Sequence, residues 1–199
     1  MFKVNKTLYF YTYKYSHKMS VEMKKFLLLT TVIAMSALSA NAGEYMPYMG
    51  IDYVNLSPNV SAKYPDNYDT GSIVAGLKFV DFGAVEVFAE RSLKKKESVD
   101  GVMSRGRMYG FGIDGIINAY NLSQGAILAS VGYGRISAKL KYDGKMLKDD
   151  GNDLRLGFGG ELNPSENLGF RAMFRYSLTD SKAYKNSKEL TIGTRYYFY

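Results

Sequence analysis

The chain has 199 residues, a net charge of +7, 20 glycines, 18 tyrosines, no tryptophan and no cysteine. The length suits a single domain, and the missing cysteines exclude disulfides, thiolate metal sites, cysteine catalysis and a lipid-modified N-terminal cysteine. The charge belongs mostly to the beginning of the chain: residues 1–42 hold six lysines and one acidic residue, Glu22, so the other 157 residues carry only +2.

The first element in chain order is a targeting segment. Met23-Lys24-Lys25 is a basic n-region, Phe26 to Leu38 is apolar, and Ala40-Asn41-Ala42 is an A-x-A cleavage site. An apolar run of about 13 residues is shorter than the ~20 that a spanning helix requires. Residues 23–42 therefore read as a signal peptide, and cleavage leaves Gly43 at the mature N-terminus. Residues 1–22 read as an upstream extension, a start assigned too early, since Met19 and Met23 are both available starts. His17, the only histidine, lies in that extension.

After Gly43 the chain alternates with period two, the mark of strands with two different faces. The predicted strands run about Tyr45–Leu56, Gly71–Phe79, Gly83–Arg91, Arg107–Ile117, Gly125–Arg135, Leu154–Leu162, Leu168–Leu178 and Leu190–Tyr199. The seventh is the most regular, with Leu168, Phe170, Ala172, Phe174 and Tyr176 on one face and Gly169, Arg171, Met173, Arg175 and Ser177 on the other. Eight such segments of roughly 9–12 residues fit strands that cross a bilayer with tilt, and an even number is the rule for single-chain bacterial barrels. Long polar connections (57–70, 92–106, 136–153, 179–189) alternate with short turns (80–82, 118–124, 163–167). That alternation predicts an up-and-down transmembrane β-barrel with long extracellular loops and both ends of the mature chain on the periplasmic side.

The face mixing glycine with isolated charges is assigned to the lumen, because eight-stranded interiors are filled by side chains. It holds Asp52, Glu86, Glu90, Asp114 and Glu161 against Lys78, Arg155, Arg171, Arg175 and Arg195. Their charges sum to zero, as buried charge requires if it is to persist. Strand direction puts Lys78, Glu86, Asp114, Glu161, Arg171 and Arg195 toward the periplasmic end and Asp52, Glu90, Arg155 and Arg175 higher. The expectation is a two-tier ionic plug.

These features resemble the small outer-membrane β-barrel families, the OmpA-like transmembrane domain and its relatives, over the whole of Gly43–Tyr199. The resemblance is carried by the signal peptide, by Pro47-Tyr-Met-Gly-Ile-Asp-Tyr53, by Val85-Glu-Val-Phe88 and by Leu190–Phe198. It implies residence in the outer membrane among lipids and lipopolysaccharide. It also implies that the barrel-assembly machinery recognises the last strand through Tyr196 and a terminal aromatic, which is Phe198 or Tyr199. The periplasmic peptidoglycan-binding domain of full-length OmpA-type proteins is not expected beside this barrel.

Little enzymatic chemistry is available. Residues 43–199 contain no His and no Cys, which removes Ser-His-Asp and Cys-His catalysis and imidazole metal sites. Glu86 and Glu90 share a face but lie about 13 Å apart along a strand. Gly157-Phe-Gly-Gly160 lacks the following helix of a phosphate loop. Asp149-Asp150-Gly-Asn-Asp153 lacks the ligand spacing of a calcium loop. Lys94-Lys95-Lys96 reads as a solvated loop run, with lipopolysaccharide phosphate as the alternative partner. No enzyme activity, cofactor, metal or nucleic acid is expected. Three classes remain open: a structural envelope barrel, a surface protein whose loops engage an extracellular ligand, and a narrow channel for small solutes.

Overall fold

The computed structural model describes residues 45–60, 65–79, 82–99, 102–181 and 184–198. The segments read as a signal peptide and as an upstream extension, together with Tyr199, lie outside the described residues. Nine strands follow one another: β1 (Tyr45–Val60), β2 (Tyr68–Phe79), β3 (Gly83–Ser92), β4 (Lys95–Val99), β5 (Val102–Leu122), β6 (Gly125–Tyr142), β7 (Lys145–Ser165), β8 (Leu168–Thr179) and β9 (Tyr184–Tyr197). All pairings are antiparallel: consecutive strands pair except β3 with β4, and β1 pairs with β9 to close the ring. β3 also pairs directly with β5, while β4 pairs only with the start of β5. The ring is thus eight-stranded, as the alternation predicts, with β4 an outlying hairpin arm.

The apolar face points outward. Ile51, Ile73, Phe111, Phe158 and Ile192 are each more than half exposed, an arrangement that only lipid tolerates on this scale. Aromatic rings border the band. Tyr45 meets Phe79 edge-on at 5.4 Å between centroids, and Tyr196 meets Phe198 at 5.1 Å, both at the end where β1 starts and β9 ends. Exposed Tyr53 and Tyr133 and half-exposed Tyr109 border the opposite end. Amphipathic rings gather at bilayer interfaces in this way.

The structure departs from the expected long loops. β5, β6 and β7 run 18 to 21 residues, far beyond the ~9–11 needed to cross. The predicted loop 136–153 is instead a β-hairpin closed by Asp143-Gly144, both with positive φ (47° and 72°). An Asp-Gly pair suits such a two-residue turn because both positions need left-handed backbone. Above the apolar band the faces exchange character: Leu56, Tyr68, Met108, Ile136, Ala138 and Tyr184 pack together inside, while Asn59, Arg105, Lys139 and Lys141 face out. The upper barrel is therefore built like a soluble one, apolar within and polar without.

Candidate functional site

The lumen contains a charged middle between two apolar layers. The lower layer, at the end where β1 starts and β9 ends, is Tyr48, Ala84, Ile116, Leu128, Met173 and Tyr197 with their small neighbours. The Tyr48 and Tyr197 rings lie 5.3 Å apart. Their hydroxyls reach upward: Tyr48 donates to Glu86 at 2.9 Å and Tyr197 to Glu161 at 2.5 Å. The two phenols join apolar floor to ionic middle.

Glu86 is the centre of that middle. It is fully buried. Its Oε2 accepts from Arg171 Nη1 at 2.8 Å and Arg195 Nε at 3.3 Å, and its Oε1 lies 4.0 Å from Arg175 Nη2. Each arginine also has a carboxylate of its own. Arg195 holds Asp52 through two bonds of 2.6 and 3.1 Å, Arg171 Nη2 lies 2.6 Å from Glu161, and Arg175 Nη2 lies 3.4 Å from Asp114. Lys78 adds a 3.2 Å contact to Glu161. This set is neutral, with Asp52, Glu86, Asp114 and Glu161 balancing Lys78, Arg171, Arg175 and Arg195.

Above it, Arg155 stacks on the Phe88 ring at 4.0 Å and donates to Glu189 at 2.8 Å. Ser177 also donates to Glu189, at 3.0 Å, and Thr179 donates to Asp153 at 2.9 Å. The space among Asp52, Glu86, Glu90, Asp114, Arg155 and Arg175 is too narrow for a water-sized sphere.

The structure brings Lys78, Glu86, Glu161, Arg171 and Arg195 together low in the barrel. It also ties Asp52, expected higher, to Arg195 and so to Glu86. The two tiers are accordingly joined through shared arginines. Glu90 stands next to Gly110 and shares the narrow space above Glu86 with Arg155. Two buried carboxylates were not legible as lumenal, Asp153 and Glu189, because their segments read as loops. The signal was present, since Glu189 and Asp153 keep the inward phase of Thr191 and Arg155. With them the interior has two more carboxylates than cations among the described residues. Tyr196 and Phe198 face outward at the lower rim, and the Phe198 amide donates to the Pro47 carbonyl at 2.9 Å. Among the described residues no group of three His, Cys, Asp or Glu side chains is placed to hold a metal ion.

A family model described as outer membrane protein beta-barrel domain matches residues 26–198. Among solved structures, Ail, the attachment invasion locus protein of Yersinia pestis, is 16% identical and is similar over 78% of this chain and 99% of its own, with a TM-score of 0.55. Neisserial surface protein A is likewise 16% identical, over 77% of this chain and 97% of its own, with a TM-score of 0.59. Ail in complex with the heparin analogue sucrose octasulfate gives a TM-score of 0.54 at 16% identity, over 78% of this chain and 98% of its own. At such identities the likeness is one of fold. Among curated protein sequences none matches significantly.

Proposed function

Because this chain belongs to the outer membrane protein beta-barrel domain family and resides in the bacterial outer membrane, we propose that it is a structural barrel of the cell envelope whose lumen is closed by its own side chains. The observation that carries this reading is Glu86, fully buried and shared by three arginines that each hold a further carboxylate. Opening a path through it would strip several charges of partners at once, which is costly in a low-dielectric interior. Two apolar layers, above and below, reinforce the seal. Purified protein in a planar bilayer should show no large, steady conductance. Sustained openings of porin size would overturn the reading in favour of a channel.

A second reading is favoured by the tall upper barrel. A purely structural barrel has no need of strands that extend well past the bilayer, and these extensions present hydrogen-bonded hairpins beyond it. The Ail structure with sucrose octasulfate is a precedent within this fold for binding a heparin analogue. Shortening the β6–β7 hairpin by removing residues 139–148 should reduce adhesion of expressing cells to host-cell surfaces without reducing barrel yield if this second role operates.

We further assign the last strand to recognition by the barrel-assembly machinery. Tyr196 and Phe198 support this by facing outward at the rim, next to the β1–β9 seam. Deleting Phe198 and Tyr199 together should lower the yield of heat-modifiable barrel several-fold. Deleting Tyr199 alone should leave yield near normal if Phe198 is the recognised aromatic, and should lower it as far as the double deletion if Tyr199 is.

A further inference from the structure

The outer wall of β5, β6 and β7 carries a charge arrangement that the lumen does not explain. On β5 the outward-facing side chains change from Phe111, Ile113 and Ile117 to half-buried Arg107 and exposed Arg105, with Tyr109 at the boundary. On β6 they change from Ile127, Val131 and Tyr133 to Arg135, Lys139 and Lys141. Strand register then sets like charges side by side: Arg105 opposite Lys141, Arg107 opposite Lys139, and Lys139 opposite Lys148. Lys96 of β4 stands opposite Arg105. Directly opposed like charges destabilise a sheet, so this face is unfavourable for a wall that meets water alone.

The cations converge on the interface residue Tyr109. Lys139 Nζ lies 5.2 Å and the Arg91 guanidinium 5.6 Å from its ring centroid, and Arg107 Nη1 donates to its hydroxyl at 3.4 Å. Arg107 Nε is buried without an acceptor. Among the described residues, Arg91, Arg105, Arg107, Lys139 and Lys141 make no ion pair with a carboxylate; Lys148 does, with Asp150 at 2.8 Å. The opposite side of the barrel is different. There Asn55, Ser57, Asn186 and Lys188 face out, and Tyr53 donates to Asp69 at 2.5 Å.

We propose that the outer wall of β5–β7, centred on Tyr109, is a binding face for the phosphorylated headgroups of outer-leaflet lipid, the glycolipid phosphates of lipopolysaccharide. Depth selects this partner over a soluble polyanion. Arg107 lies one outward position, about 7 Å along the strand, above the aromatic boundary. Arg91 is the first outward residue above Ala89. Both stand where headgroups of the surrounding lipid must lie. Guanidinium pairs phosphate through parallel donors, which offsets the repulsion across β5 and β6. The proposal requires outer-membrane residence only and is independent of whether the lumen is closed.

The test uses full-length mature protein in phosphatidylcholine nanodiscs, alone or doped with bisphosphorylated lipid A or with its dephosphorylated form. Native mass spectrometry reads retained lipid, and thermal unfolding reads stability. Wild type should retain bisphosphorylated lipid A at least about tenfold over the dephosphorylated form, given the attraction of each basic residue near an anionic surface. The triple variant Arg91→Ser, Arg107→Ser, Lys139→Ser should lose that preference. It should also melt higher than wild type in phosphatidylcholine, where repulsion is relieved, and lower in lipid A discs. Lys185→Ser with Lys188→Ser, on the far side, should bind as wild type. A gel shift with and without boiling checks folding, and Lys139→Ser alone, at an exposed position, gives a partial loss if the triple variant does not fold. Equal retention by the triple variant, equal binding of dephosphorylated lipid, or equal loss in the far-side variant overturns the proposal. So does equally tight binding of sucrose octasulfate to wild type in plain phosphatidylcholine discs, which would make the face a general polyanion site.

Discussion

Glu86→Gln is expected to destabilise the barrel by about 3–5 kcal/mol, the range for breaking a buried ion pair by removing one partner. The substitution keeps the shape and removes the charge. Arg171, Arg195 and Arg175 then each lose the carboxylate they share, retaining only Glu161, Asp52 and Asp114. The new amide makes matters worse by turning N–H donors toward guanidinium donors, and one side chain cannot present its carbonyl oxygen to all three. Asp52→Asn affects one arginine, Arg195, and should cost less. Urea unfolding in phospholipid vesicles gives both values. A loss below about 1 kcal/mol for Glu86→Gln, or one no larger than for Asp52→Asn, would show that the network is not centred on this residue. The pair Glu86→Gln with Arg171→Met should lose less than the sum of the single changes, because removing a cation with its anion relieves the uncompensated charge.

Gly193→Ala should cost about 1–3 kcal/mol, as overpacking does, and Gly193→Val more. β1 and β9 close the barrel in a register that sets Gly193 opposite Asp52 and Gly50 opposite Arg195. Each end of the Asp52–Arg195 pair thus crosses the space that a side chain on the other strand would fill. A Cβ on Gly193 would collide with Asp52 Oδ1 and the Ile51 carbonyl, and one on Gly50 would come within 2.7 Å of Arg195 Cδ. The ion pair and the seam would be damaged together. Gly71→Ala is the matched control, since a Cβ there meets nothing within 4 Å. Unfolding midpoints and the fraction of heat-modifiable monomer should separate the two substitutions. Equal behaviour would mean that the seam has slack that the close packing does not suggest.

Much of this barrel was legible in the sequence because lipid imposes a simple rule. A strand that crosses a bilayer must show apolar side chains on one face at every second position, and Leu190, Ile192, Tyr196 and Phe198 do so without knowledge of any neighbour. The same alternation put Glu86, Arg171 and Arg195 on the inward face, since parity along one strand is a local property. Where the pattern changed sense, sequence reading stopped too early. Above the band the inward residues become apolar, as at Leu56, Met108 and Ile136, and the outward ones polar, so periodicity tuned to lipid read these segments as loops. Asp143-Gly144 was a local turn signal inside that stretch, and Glu189 and Asp153 were in phase with their strands.

What the sequence determined by itself was the number of strands in the ring, the facing of residues within the membrane-crossing strands and the closure by the last strand, all consequences of period two and bilayer thickness. Which charges meet was decided by the tertiary structure, because register and stagger across strands are not encoded in any single strand. Glu86 and Arg195 are 109 positions apart and touch only because the closed ring turns their strands toward a common centre. The same holds on the outside: Lys94-Lys95-Lys96 stood out in the sequence as a run, yet in the folded β4 only Lys96 stands opposite Arg105. Arg91, Arg107 and Lys139, scattered over three segments, gather around Tyr109 because hydrogen-bonded register places them there.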